Sequence, residues 1–275
     1  MTAPIVPGWP ASMVIVGCGN MGGAMLAGWL RGGIEPSCFT IVDPFLKAAP
    51  EGVTLLRDLA QLPEAGFDCL LIGVKPQMLG EVAPRIAPLA HGHVVVLSIL
   101  AGVELSSLAR RFPVAGGLVR IMLNLSAAIG KSPIALAAGV GATQHKDAVT
   151  SLMNPLGTPE WIDESLFDLV TALAGSGPAF VYRFIDTLAS GATAIGLDPA
   201  QARRLALATV EGASLLASSS EAGPGELARR VASPGGTTQA GLDILDADNA
   251  LADLIRETLQ AAADRSAEMA RAARE

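Results

Sequence analysis

"VIVGCGNMGGAML" (residues 14–26) is the most informative stretch of the chain. A short apolar run of β-branched residues ends at Gly17, and Gly19 and Gly22 complete a G-x-G-x-x-G spacing. "MGGAMLAGWLRGG" (21–33) then reads as helix. The order strand, glycine turn, helix is what a dinucleotide diphosphate requires. Gly17 makes the tight turn, Gly19 lets the backbone approach the diphosphate, and Gly22 lets helix and strand pack closely. In a chain with 30 glycines the spacing alone means little, and its placement between a strand and a helix gives it force.

Beyond it, "FTIVD" (39–43), "CLLIGV" (69–74) and "HVVVLSI" (93–99) are further compact strands, and "GLVRIML" (117–123) and "SPIALAAG" (132–139) add two more. "LRDLAQLP" (56–63) and "PQMLGEVAPRIAPLA" (76–90) read as helices between them. Unbroken apolar strands alternating with helices imply a parallel sheet covered on both faces. Asp43 ends the second of these strands, about twenty residues past Gly22, where a carboxylate accepts from a free ribose 2′-hydroxyl and repels a 2′-phosphate. Asp43 also suits a plain turn former in "VDP". No Arg follows it closely in sequence, and Lys47 is the nearby cation. NADH is therefore favoured over NADPH. "IGVKPQML" (72–79) lies at the carboxyl end of its strand, with Lys75 at the mouth, either facing an anionic ligand or solvated on the surface.

From about Asp163 the apolar spacing turns helical, through "SLFDLVTALAG" (165–175), "PAFVYRFIDTLASGATAIG" (178–196), "AQARRLALATVEGASLLA" (200–217), "ELARRVAS" (226–233) and "ALADLIRETLQAAADRSAEMARAA" (250–273). The expected architecture is an α/β Rossmann-type parallel-sheet domain, residues 1–163, followed by an all-α dimerisation domain, residues 164–275. The helix at 178–196 carries only Arg183 and Asp186 as charges, so it is apolar nearly all round and wants burial on every side, which a second copy of the chain supplies.

Charge and cysteine usage narrow the classes. A net charge of −7 argues against a nucleic-acid partner, which needs a basic face. Cys18, Cys38 and Cys69 form no metal-ligand or disulfide framework, and the first residues, "MTAPIVPGWPAS", lack the pattern of a secretory signal, so a reducing cytoplasm is expected. No segment reads as a membrane span, and no residue set as a metal site.

One stretch interrupts the helical half: "VASPGGTTQAGLDILD" (231–246). Pro234 cannot extend the helix before it, and Gly235 and Gly236 accept unusual dihedrals. The turn is either a connector with a Thr cap or a helix start whose N–H groups receive an anion.

Together with "GCGNMGGAM" (17–25), "VKPQ" (74–77), "SILAGV" (98–103), "VRIMLN" (119–124) and "TALAGSGPAFVY" (171–182), that stretch resembles the Δ1-pyrroline-5-carboxylate reductase family of proline biosynthesis, over nearly the whole chain. The resemblance implies reduction of the cyclic imine Δ1-pyrroline-5-carboxylate to L-proline by hydride from NAD(P)H. It implies that Gly236, Thr237 and Thr238 hold the substrate carboxylate on backbone N–H groups, with Gly235 also in the substrate-binding turn and the Thr238 hydroxyl as the catalytic group near the ring nitrogen. It places Ser176, Gly177 and Pro178 along the substrate pocket. It also puts Gly17, Gly19, Asn20, Met21, Gly22, Asp43, Val74, Lys75, Pro76 and Asn124 along the cofactor, and implies a homodimer or larger homo-oligomer with interleaved helical domains.

One departure stands out. Where the family reads R-x-M-P-N-T-P, this chain has "RIMLNLSA" (120–127), with Leu123, Leu125 and Ser126 replacing Pro, Thr and Pro. Three other readings compete. A β-hydroxyacid dehydrogenase needs a lysine in the helical domain, and no lysine follows Lys146. A reductase for another cyclic imine, or a non-catalytic dinucleotide-binding regulator, is compatible with the altered "LNLSA" segment.

Overall fold

The computed structural model describes residues 9–63 and 66–272, so the first eight residues of the chain's opening segment lie outside the described part. Eight strands form one sheet: β1 (Met13–Val16), β2 (Phe39–Val42), β3 (Thr54–Leu56), β4 (Cys69–Ile72), β5 (Val95–Ser98), β6 (Gly117–Met122), β7 (Ser132–Ala138) and β8 (Gly157–Trp161). Their spatial order is β3-β2-β1-β4-β5-β6-β7-β8. The strands from β3 to β6 are parallel; β7 runs antiparallel to β6, and β8 parallel to β7. The expected parallel sheet is present, and its one reversal falls between β6 and β7. Residues 123–131 are too short for a parallel crossover, which takes about a dozen residues.

Two strands escape the periodicity. β3 is three residues long, and "LRDLAQLP" (56–63) is no α-helix. It ends β3 and turns at a 3-10 segment, Leu59–Gln61, where Asp58 and Gln61 form a capping box. β8 contains Pro159, which an edge strand tolerates.

Helices cover both faces. α1 (Asn20–Arg31), α2 (Leu79–Ile86), α3 (Leu105–Arg111) and α4 (Lys146–Met153) follow their strands. Alternate side chains of one strand enter different cores. Met13 and Ile15 join Trp29, Phe39, Leu71 and Val119 on one face, and Val14 and Val16 join Val42, Leu70, Ile72 and Val96 on the other. Trp29 stacks on Phe39 at 5.6 Å and donates its indole N–H to the carbonyl of Leu152 at 2.8 Å, which ties α1 to α4.

Next come the short helix α5 (Phe167–Val170) and a π turn, Thr171–Gly175. The helical part holds α6 (Gly177–Ala194), α7 (Pro199–Ser219), α8 (Pro224–Val231), α9 (Thr237–Asp246) and α10 (Ala250–Ala272). By compactness the chain divides after Ser176 rather than after residue 163, and residues 261–272 join the sheet unit, leaving 177–260 as the helical unit. The later division has a packing cause. Phe167, 1% exposed, packs with Ala135 and Ala137 on the sheet, and Ser266 donates to Asp168 at 2.7 Å.

In the helical unit α6 packs along α7, where Ala202 and Ala206 are buried and their small side chains allow a close approach. No residue of α6 is buried within the single chain. Tyr182, Phe184, Ile195, Leu216, Ile244 and Leu254 are more than half exposed.

Candidate dinucleotide site and substrate turn

The glycine turn follows β1 at the carboxyl edge of the sheet. The strand order reverses direction there, β2 lying on one side of β1 and β4 on the other, and such crevices receive nucleotides. Gly17 has φ +84°, and a Cβ there would stand 2.8 Å from the backbone nitrogen of Val74. A Cβ on Gly22 would stand 3.0 Å from the carbonyl oxygen of Gly17. Nothing lies within 4 Å of the corresponding point on Gly19, so the backbone is open where a diphosphate must approach. Gly19 caps α1 with no side chain on the first-turn N–H groups, which start at Asn20 and Met21. These residues fit a dinucleotide.

A cavity of about 470 Å³ opens beside this turn, lined by Gly17, Gly19, Asp43, Val74 and Lys75 among others. Pro76 begins the 3-10 turn Pro76–Met78 that ends the strand segment carrying Val74 and Lys75. The sequence reading missed Phe45, 85% exposed, and Arg57, Asp58 and Arg85, which line the same cavity.

Asp43 does more than face the cavity. Its Oδ2 accepts from the Cys18 N–H at 2.8 Å, and its Oδ1 from the N–H groups of Phe45 at 2.8 Å and Leu46 at 3.1 Å. The carboxylate thus holds the glycine turn to the end of β2 and makes the turn that follows, which leaves little acceptor capacity for a ribose. No Arg follows Asp43 closely along the chain, yet one comes beside it in space. Arg57 reaches the carbonyls of Asp43 at 3.3 Å, Leu46, and Lys47 at 3.1 Å. Arg85 is held by Asp58 at 2.5 Å, and Asp58 is kept below the usual carboxylate range by the Ala60 N–H first and then by Arg85. Cys18 is buried in the glycine turn, and burial together with the Asp43 charge pushes its thiol up to about 11.

Asn124 is 6% exposed, and its carboxamide is spent on bonds within the protein, to Ala174 and Ser126. Arg120, on the same strand end, is 3% exposed, pairs with Glu164 at 3.1 Å and lies over the Phe167 ring at 4.1 Å.

In the helical unit, Gly235 has φ +70° and Gly236 caps α9, with no side chain on the first-turn N–H groups. A Cβ on Gly236 would stand 2.4 Å from the Ser233 hydroxyl oxygen, so the turn is built around glycine. Thr237 and Thr238, both exposed, open the helix. Their N–H groups have no partner within the helix and present a receptor for an anion, whereas the Gly236 N–H, expected to join them, instead donates to the Ser233 carbonyl at 2.9 Å within the turn. Gly177 and Pro178 open α6, with proline in the first turn, where its missing N–H costs nothing. Ser176 ends the π turn, its N–H donating to Thr171 at 3.0 Å.

A mostly parallel α/β sheet with an open glycine turn at its switch point, followed by helices, defines a dinucleotide-binding protein of the Rossmann type. Comparison with known proteins narrows the class. Residues 164–269 match the pyrroline-5-carboxylate reductase dimerisation family. Pyrroline-5-carboxylate reductase of Methanosarcina acetivorans is 34% identical, over 92% of this chain and 96% of its own. The structure of a pyrroline-5-carboxylate reductase from Coxiella burnetii matches with a TM-score of 0.88 at 27% identity, over 94% of this chain and 98% of that one. A Plasmodium falciparum pyrroline carboxylate reductase, solved with NADP bound, matches with a TM-score of 0.80 at 25% identity, over the same shares. The chain belongs to the pyrroline-5-carboxylate reductase family.

Proposed function

We propose that this chain reduces Δ1-pyrroline-5-carboxylate to L-proline with NADH or NADPH. The observation that carries the substrate assignment is the turn at 233–238, a glycine-built helix start with no side chain on its amides. A carboxylate on those amides sits at the positive end of α9, where a negative charge is favoured. When bound, the reduced dinucleotide supplies the hydride that reaches the C=N carbon.

The chain has to hold two reactants and little else. Gly17, Gly19 and Gly22 shape the diphosphate turn, and Val74, Lys75 and Pro76 border it. Thr237 and Thr238 hold the carboxylate on their N–H groups, with Gly235 and Gly236 giving the turn its course. The Thr238 hydroxyl hydrogen-bonds at the ring nitrogen. That nitrogen enters as an iminium and keeps its proton as the carbon is reduced, so no side chain must surrender one. The helical half accordingly has no lysine, cysteine or histidine. A β-hydroxyacid dehydrogenase would lack its proton donor there.

NADH is the preferred cofactor on this reading. A 2′-phosphate would meet the Asp43 carboxylate, and the nearby Arg57 is already turned onto three backbone carbonyls. The active unit is a homodimer or larger, with the exposed apolar side chains of α6, α7, α9 and α10 covered by another copy. The setting is the cytoplasm, in keeping with Cys18, Cys38 and Cys69 all free, and among the described residues no helix is long and apolar enough to cross a membrane. A chain of net charge −7 has no nucleic-acid partner on this reading. Oxidation of NADH by the purified protein with authentic pyrroline-5-carboxylate, and proline as product, tests the proposal. No turnover with this imine, or faster turnover with its six-membered homologue, would overturn the assignment.

A further inference from the structure

Asn124 ties together four pieces of the sheet unit. Its Nδ2 donates to the carbonyl of Ala174 at 2.8 Å. Its Oδ1 accepts from the Ser126 N–H at 2.9 Å and from the Ser126 hydroxyl. Its own N–H donates at 3.0 Å to the Ser132 hydroxyl, which donates on to Pro133 at 2.9 Å. One residue thus joins the end of β6, the start of β7, the 3-10 turn Leu125–Ile129 and the π turn Thr171–Gly175.

The bond to Ala174 answers a specific deficit. In a continuing α-helix the carbonyl of Ala174 would accept from the N–H four residues on, and that residue is Pro178, which has none. Ala174 is 4% exposed, so its carbonyl cannot rely on water, and a buried carbonyl without a donor is costly. The Asn124 amide supplies the missing donor. The same turn rests on β6, since a Cβ at Gly175 would stand 3.2 Å from the Met122 sulfur.

Ser126 decides which end of the carboxamide faces Ala174. Turned over, Asn124 would set its oxygen against the Ala174 carbonyl and its NH₂ against the Ser126 N–H, two buried mismatches. The departure from R-x-M-P-N-T-P has a use here. A proline at 126 has neither an N–H nor a hydroxyl, whereas Ser126 brings both to Oδ1.

We infer that Asn124, aimed by Ser126, is a positioning residue for the backbone of Gly175 and Ser176, and thus acts on the substrate side of the site rather than on the cofactor. The inference rests on the proposed imine-reductase activity for its kinetic arm only. Asn124→Asp keeps the acceptor that Ser126 needs, removes the donor to Ala174 and, when ionised, sets a negative oxygen against that carbonyl.

At about pH 8 this variant should raise KM for pyrroline-5-carboxylate about tenfold, the scale of one lost buried hydrogen bond. The dissociation constant for NADH, read by fluorescence, should stay within about twofold. Amide exchange across residues 171–177 should quicken about tenfold. Lowering the pH protonates the new carboxyl, which can then donate to Ala174. The KM ratio to the wild type should therefore fall back toward one by about pH 5.5, a recovery that general loosening would not produce. Ser126→Ala should shift KM and exchange in the same direction by less. Weakened NADH binding with an unchanged imine KM would overturn the inference, as would unaltered exchange at 171–177 or a KM ratio flat with pH. If the wild type reduced no imine, the exchange and NADH-binding arms would still decide the clamp, separately from the reaction.

Discussion

The Arg120–Glu164 pair makes a quantitative prediction with an asymmetry in it. Arg120 leaves β6 with its side chain 4% exposed, while Glu164 is 30% exposed. Glu164 Oε1 receives both Arg120 Nη1, at 3.1 Å, and the Leu105 N–H, at 2.7 Å. Arg120 Nε is buried with no hydrogen-bond partner, so Glu164 is the charge that compensates this guanidinium. Glu164→Ala strands the cation, and breaking a buried pair in this way costs about 3–5 kcal/mol. The partial exposure of Glu164 lets water approach, which puts the expected loss near the lower end, about 3 kcal/mol.

Arg120→Met leaves a different remainder. Glu164 keeps the Leu105 N–H and reaches solvent, and the thioether can lie against the Phe167 ring in place of the guanidinium, so the loss should be about 1 kcal/mol or less. At about 2–4 °C per kcal/mol for a unit of this size, Glu164→Ala should melt about 6–12 °C low and Arg120→Met only a few degrees low. The double variant should be more stable than Glu164→Ala alone. Urea and thermal unfolding followed by circular dichroism measure all three. If Arg120→Met cost as much as Glu164→Ala, or the double variant were no better than Glu164→Ala, the stranded cation would not be the cause.

Thr238→Ala should lower turnover of pyrroline-5-carboxylate by about one to two orders of magnitude with dinucleotide binding intact, the cost of one hydrogen bond to a charged or reacting group; unchanged steady-state kinetics would reject the role, and Thr237→Ala is the control. Asp43→Ser should relax the preference for NADH and also lower the melting temperature, because three backbone N–H groups lose their acceptor; a wild type that favours NADPH tenfold would remove Asp43 from cofactor selection. The Cys18 thiol, raised from 9.0 to about 11, should resist alkylation near pH 8, as peptide mass mapping can show. The folded chain keeps this proton where the unfolded chain has lost it, so the thiol's contribution to stability is complete below about pH 9 and declines as pH rises toward 11. Cys18→Ser should flatten that alkaline decline. Ala192→Arg should split the oligomer and abolish activity together; sedimentation showing a fully active wild-type monomer would refute the shared interface.

Strands β1, β2, β4 and β5 were legible because they are buried almost throughout and rich in Val, Ile and Leu. β3 and β8 were not, because edge strands need no such run: β3 is three residues, and β8 carries Pro159 and alternates in exposure. The same logic hid the π turn. "TALAG" has helical spacing, and nothing in its composition shows that Pro178 withholds a donor from Ala174 until the partner on β6 is known. Arg57 was missed for a related reason, since it returns to Asp43 through β3, which the sequence did not reveal.

The stretch "LNLS" shows how differently a departure reads in sequence and in structure. As a string it replaces two prolines and a threonine, and it suggests a degraded site. In the fold two of the three changes, Leu123 and Ser126, each meet a separate demand. Leu123, 3% exposed, fills the core beside Trp29 and Leu156 at the end of β6, where a long apolar side chain adds burial. Leu125 is 56% exposed, so its change touches no interior packing. Ser126 caps nothing by itself, yet it brings two donors to Asn124 and leaves the amide one orientation. A proline fixes a turn by restricting its own φ, whereas Ser126 fixes it through its neighbour's side chain. The rigidity has moved from the backbone into a hydrogen-bond network, and the carbonyl of Ala174 still finds its donor.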